Sequence, residues 1–251
     1  MLLERTTPKA LDDRLQGPHL PGSESSLAGM FEAQPCEGLQ AGGGLFWEGD
    51  PANHVFQVVE GTLRLFRLLA DGRRIITGFV CPGDLIGVSL RDRYLYSAEA
   101  VTAVKLRRFS RSRFEGEIAR SPALRTEVFA WLCDEMAAAQ DQMVLLGRKS
   151  AEERVCSFLL LVARRMRRDE PLSRHFEIPM SRLDMADYLG LTIETVSRTM
   201  SRLTAQGVIA ARGRHGIEVC ALETLVFLAG GDMVDDEFSS GPAKRDAVWK
   251  H

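Results

Sequence analysis

The sequence predicts an α+β protein: a roll of short strands, then one long helix, then a compact helical unit with a small β-ribbon. Three observations carry this. Gly49, Gly61, Gly72 and Gly83 punctuate the N-terminal half at intervals of 12, 11 and 11 residues. That spacing suits several short strands curled into a compact barrel or roll. Phe129, Leu132, Met136, Ala139, Met143 and Leu146 then recur in 3-4-3-4-3 steps, the period of a helix with one apolar seam. Last, residues 184–203 read as a short helix, a tight turn at Gly190 and a second helix.

In chain order, residues 1–28 are rich in Pro, Gly, Ser and charge and are expected to form a disordered tail. The roll is assigned to 29–120, with the all-β text running from about 43 to 114. Within it Val55-Phe-Gln-Val-Val59 and Thr62-Leu-Arg-Leu-Phe-Arg-Leu68 are strand-like, and Asp71-Gly72 is a hairpin turn before Arg74-Ile-Ile-Thr-Gly-Phe-Val80. At Ser121-Pro122 the period changes, and 121–147 is expected to be one helix. Its seam admits two readings: packing on its own roll, or parallel pairing with a second copy, where the small Ala139 lets backbones approach.

Ser150-Ala-Glu-Glu153 is a capping-box start. The helix behind it presents Val155, Phe158, Leu159, Val162 and Met166 on one face. Arg164, Arg165, Arg167 and Arg168 crowd its end, where cations suit the helix dipole. Phe176-Glu-Ile-Pro179 is a strand candidate. Ser181 with Asp184 caps the next helix, which Gly190 ends. The following helix sets Glu194, Ser197 and Arg198 on one face and Val196, Met200 and Leu203 on the opposite one. A packed back with a hydrogen-bonding front is what a DNA recognition helix needs. An ordinary surface i,i+4 pair is the alternative for Glu194 and Arg198. Val208–Val219, alternating around a glycine-bearing turn, reads as a β-wing, so 148–225 is a winged helix-turn-helix. Residues 226–251 are acidic and polar, with disorder expected beyond Leu228.

The net charge of −2 alone argues against a nucleic-acid partner, but its distribution does not. Residues 148–216 hold 13 Lys+Arg against 8 Asp+Glu, whereas 1–147 and 217–251 are net negative. The basic excess coincides with the candidate recognition helix. Cys36, Cys81, Cys133, Cys156 and Cys220 are scattered and odd in number. They describe neither a disulfide framework nor a zinc site, and a reducing cytoplasm is the simplest setting. No signal pattern or membrane-length apolar run appears. Nucleophile–base pairings, metal spacings and phosphate loops are absent too, so an enzyme is not supported.

The order of parts, together with Tyr188-Leu-Gly-Leu-Thr-Ile-Glu-Thr-Val-Ser-Arg198, Ala151-Glu-Glu-Arg154 and Cys81-Pro-Gly-Asp-Leu-Ile-Gly87, resembles the Crp–Fnr superfamily of transcription regulators, in its Fnr/FixK branch. The resemblance spans roughly 30–225. It implies a cyclic-nucleotide-binding-type β-roll, a dimerisation helix and a winged helix-turn-helix. It also implies a homodimer that reads double-stranded DNA as a TTGAT…ATCAA-type palindrome. Arg198 would pair with guanine O6/N7, Glu194 would accept from cytosine N4, and Ser197 would touch a thymine edge. Ser181, Thr192, Thr195, Arg202 and Arg214 would contact the DNA backbone or support the motif. Activation would require RNA polymerase, for which the Asp71-Gly72 hairpin, the Thr77-Gly-Phe-Val-Cys81 strand and the loop 166–174 are candidates by family position.

Two departures bear on the signal. Where cyclic-AMP-binding members carry Gly-Glu and Arg-Ser pairs, this chain reads Gly87-Val88-Ser89 and Tyr96-Ser97. A buried cyclic phosphate would lack its charge partner, and the adenine-contacting Thr-Ser pair falls near Ala139-Gln140. Iron–sulfur members use three closely spaced N-terminal cysteines and one in the roll; here Cys36 stands alone and the roll position falls near Arg107. No cofactor is therefore expected. The resemblance implies a FixK-like activator in a low-oxygen or nitrogen-fixation cascade. The alternative is a regulator of the same fold gated by an unidentified effector or a thiol, with Cys133 beside the seam the first candidate. His54 and His175 are lone histidines whose simplest role is structural.

Overall fold

The computed structural model describes residues 26–89, 91–165, 174–213 and 215–231. It opens on helix α1 (Leu27–Glu32), whose N-cap Ser26 accepts the Gly29 N–H at 3.1 Å. Leu27, Met30 and Phe31 are buried beside Phe109 and Phe114, so the expected tail of 1–28 is corrected at residues 26–28. Burying three large apolar side chains outweighs the polar text before them. Residues 1–25 lie outside the described residues.

The roll is two antiparallel four-stranded sheets face to face. One runs β1 (Cys36–Leu39), β8 (Val104–Ser110), β3 (His54–Glu60), β6 (Leu85–Ile86); the other runs β2 (Gly44–Phe46), β7 (Ser97–Ala100), β4 (Leu63–Leu68), β5 (Arg74–Val80). Phe46, Phe56, Leu63, Val80, Ala98 and Leu106 fill the space between. Gly61 turns β3 into β4 at φ +84°, and a Cβ there would lie 2.2 Å from the Ala103 carbonyl oxygen. The hairpin at Asp71-Gly72 joins β4 to β5 in the register Leu68↔Arg74.

Helix α2 (Arg111–Arg120) leads to α3 (Pro122–Arg148), capped by Ser121 and started by Pro122. The 27-residue α3 buries only Leu124 and Leu145. Phe129, Met136 and Met143 are 69%, 60% and 65% exposed, and Leu132 and Leu146 are exposed as well. The reading in which the seam packs on its own roll therefore fails: the roll meets α3 through Leu124, Val128 and Trp131 instead.

Helix α4 (Ala151–Arg165) has the predicted capping box, Ser150 N–H to Glu153 at 2.6 Å and Glu153 N–H to Ser150 at 3.4 Å. Val155, Phe158, Leu159 and Val162 are buried; Met166, Arg167 and Arg168 lie outside the described residues. Strand β9 (His175–Glu177), α5 (Arg182–Leu189), α6 (Ile193–Ala205), β10 (Ile209–Arg212), β11 (Gly216–Val219) and α7 (Leu222–Leu228) complete the C-terminal unit. Its sheet has the order β10-β11-β9, so the wing is three-stranded. The expected tail boundary at 226 is corrected too. Helix α7 runs through it, Val226 and Ala229 are buried, and the Lys149 ammonium donates to the Ala229 carbonyl at 2.8 Å. Residues beyond 231 lie outside the described residues.

The roll and the C-terminal unit share one core. Phe66, Ile76 and Phe79 of β4 and β5 belong to the same buried cluster as α4, α5 and α6. Phe79, Phe158 and Tyr188 form an aromatic triangle with centroid separations of 5.4 to 6.0 Å, distances at which edge-on ring packing is favourable.

Candidate nucleic-acid interface

The capping box that starts α5 is closed in both directions. Ser181 accepts the Asp184 N–H at 3.0 Å, and Asp184 accepts the Ser181 N–H at 3.2 Å. Gly190 ends the helix in the left-handed conformation, φ +61°, and the chain turns directly into α6. Thr192 caps α6 by accepting the Thr195 N–H at 3.2 Å, and the two hydroxyls lie 3.1 Å apart. Thr192 and Thr195 thus hold the motif together, as does Ser181.

Helix α6 is divided lengthwise. Val196, Met200 and Leu203 are buried with Thr199, while Glu194 and Arg198 are exposed and Ser197 lies between them, half-buried. The structure therefore brings Glu194, Ser197 and Arg198 onto one face. Hydrogen bonds from its own backbone N–H and from the Thr192 hydroxyl, aided by the charge of Arg198, hold the Glu194 carboxyl below its ordinary value. It stays an ionised acceptor. Ser201, exposed one turn beyond Ser197, and Ile193, exposed at the helix start, extend this face and were missed in the sequence. The i+4 step from Ser197 was the available signal for Ser201.

Arg202 turns back instead, pairing with Glu152 of α4 at 2.8 Å, so it braces the motif. In the wing Arg212 bonds Glu218 at 2.6 Å; Arg214 lies outside the described residues. Four other side chains that grip α5 escaped the sequence reading: Arg64, Arg74, Gln142 and Arg154. Among the described residues no group of His, Cys, Asp and Glu could hold a metal ion. His54 is half-buried, and desolvation followed by the nearby Arg108 lowers its pKa. Among the same residues no helix is long and apolar enough to cross a membrane.

A helix-turn-helix with a packed back and a polar front, carried behind a double-sheeted roll, is matched by known proteins. The Crp-like helix-turn-helix domain family matches residues 153–227, and the cyclic nucleotide-binding domain family matches 37–121. The nitrogen fixation regulation protein FixK of Bradyrhizobium diazoefficiens is 44% identical over 172 residues, covering 68% of this chain and 73% of that protein. The chain belongs to the Crp–Fnr superfamily of transcription regulators, in its FixK-like branch. The transcriptional activator protein FnrL of Cereibacter sphaeroides is 36% identical over 82% of this chain and 85% of its own length. The solved structure of FixK2 from Bradyrhizobium japonicum superposes with a TM-score of 0.74 at 36% identity, over 78% of this chain and 97% of that one. This Crp–Fnr chain is a DNA-binding transcription regulator and not an enzyme.

Proposed function

We propose that the protein is a homodimeric activator that reads a TTGAT…ATCAA-type palindrome through Glu194, Ser197 and Arg198. The observation that carries this is the lengthwise division of α6, with its apolar side fully buried and Glu194 and Arg198 exposed together. Arg198 pairs with guanine, Glu194 accepts from cytosine and Ser197 meets a thymine edge. The exposed stripe Phe129, Leu132, Met136, Ala139, Met143 and Leu146 supplies the second half of the proposal. Its period suits a parallel pair of α3 helices, which would space two recognition helices for a palindrome.

No small-molecule effector is invoked. Phe46, Phe56, Tyr94 and Tyr96 crowd the roll interior, with Phe46 and Tyr94 stacked at 3.8 Å, and the Tyr96 hydroxyl accepts the Gly87 N–H at 3.3 Å. Neither Val88 nor Tyr96 offers a phosphate its charge. Polymerase contact falls to the hairpin tip, where Leu68, Asp71 and Gly72 are exposed. The Thr77–Cys81 candidate shrinks to Thr77, because Phe79, Val80 and Cys81 are buried. The loop 166–173 lies outside the described residues. The FixK relatives, named as nitrogen fixation regulation proteins, support placing this regulator in a nitrogen-fixation or low-oxygen cascade, and its DNA target would put it in the cytoplasm. The test is footprinting of air-purified protein, without nucleotide or iron, on the palindrome and on a scrambled sequence. Protection of the palindrome alone is expected; protection only with cyclic AMP or after iron–sulfur reconstitution would sink the effector-free reading.

A further inference from the structure

We infer that α5 is the coupling element of this regulator, and that Arg64, Arg74, Gln142 and Arg154 are positioning residues that set the angle at which α6 meets DNA. Helix α5 is gripped at both ends by other parts of the chain. At its N-terminal end, Asp184 is 3% exposed and accepts from Arg64 Nη1 at 3.2 Å and Arg74 Nη2 at 2.8 Å. Arg74 Nε reaches Asp187 at 2.8 Å, and Arg64 also pairs with Glu99 of β7. Both arginines stand on the roll, on β4 and β5.

The C-terminal end is held from the other side. Gln142 of α3 donates to the Tyr188 carbonyl at 3.0 Å. Arg154 of α4 donates to the Leu189 carbonyl at 3.0 Å, to Leu146 at 2.9 Å and to Lys149 at 3.0 Å. Carbonyls at helix ends lack intrahelical partners, and one planar guanidinium fork serves three of them at once. Arg154 thereby ties together the end of α3, the bend after it and the turn of the motif.

These contacts are not a source of maximal stability. Arg64 Nε is buried without a partner, and such a donor costs free energy. Buried ion pairs likewise add little net stability and are most defensible where they fix a geometry. Here the geometry is that of α5 relative to the roll at one end and to α3 at the other. Helix α6 follows α5 through a single glycine turn, so a tilt of either support moves the recognition face.

The inference rests on the dimeric-operator reading, in which two α6 helices must sit one turn of DNA apart. The full-length protein is titrated against operators whose half-site separation is altered by one base pair in each direction, and against random DNA. The wild type is expected to prefer one separation by about tenfold, within the cost of a mismatched site. Arg74→Met and Arg154→Lys are expected to bind that operator about tenfold more weakly (about 1.4 kcal/mol) and to lose most of the preference. Binding to random DNA should stay unchanged, and Arg74→Lys should recover much of the preference. Asp187→Asn, which leaves the Asp184 cap intact, stands in if either variant unfolds. Variants that discriminate separation as sharply as the wild type overturn the inference alone. A wild type indifferent to separation overturns the dimeric-operator reading and the inference with it.

Discussion

Two consecutive helices, α3 and α4, are both written with apolar residues at helical spacing, yet they meet opposite fates. Over its 15 residues α4 buries eight, Phe158 and Leu159 completely. The 27 residues of α3 bury two. Apolar periodicity says that a face wants cover, not where the cover comes from. For α4 the cover is the chain's own α6, α7 and β5. For the α3 seam nothing within the described residues supplies it, and large exposed apolar stripes mark an interaction surface.

The largest effect is expected from putting charge into the seam. Met136→Glu would place two like carboxylates across a two-fold axis, and an uncompensated buried charge costs about 3–5 kcal/mol. Light scattering should report monomers, with operator binding lost and the thermal midpoint of each chain little changed. A variant that remains dimeric places the interface elsewhere. Phe158→Ala tests the other helix. It should cost about 3–5 kcal/mol of unfolding free energy and leave assembly of the folded fraction intact; denaturant titration at several protein concentrations separates the two outcomes.

A smaller loss is expected on α6. Arg198→Ala should cost about 1–3 kcal/mol on the operator and relax preference at the guanine. Equal loss on random DNA would demote Arg198 to a phosphate contact. Glu194→Ala should change selectivity among half-site variants more than overall affinity.

The mildest probe compares one thiol on each helix. Cys133 on α3 is exposed. Cys156 on α4 is buried, and burial, followed by the nearby Glu152, pushes its thiol up to about 12. Since the thiolate is the reactive form, a disulfide reagent at pH 8 should spare Cys156 until unfolding. Fast labelling of Cys156 in the native protein would contradict the packing of α4. Cys133 should label faster in Met136→Glu than in the wild type if pairing shields that stretch of α3.

Much of this architecture was legible because its signals are local. Gly49, Gly61, Gly72 and Gly83 all adopt positive φ, so the punctuation marked real turns. Helix α6 wrote its buried and exposed sides in a single 3-4 pattern. Helix α1 was hidden because six residues are too few to show a period, and polar text precedes it. The grip on α5 was hidden for another reason. Asp184 meets Arg64 and Arg74 across 120 and 110 residues of sequence. Only the docking of the roll on the C-terminal unit brings them together, and no local spacing encodes that.

The turn at Gly190 carries a last consequence. A Cβ there would meet its nearest neighbours, Arg154 and Leu146, at 3.5 Å, which is ordinary contact. Space does not exclude a side chain; torsion does, because L-residues adopt this left-handed conformation at a cost of about 1–2 kcal/mol. Tolerance at position 190 should therefore be graded by left-handed propensity and not by bulk. Asparagine and aspartate would rank ahead of alanine despite being larger, and β-branched residues would come last. The turn would drift over evolution along a conformational ladder, while Val196 and Leu203 behind it drift along a volumetric one.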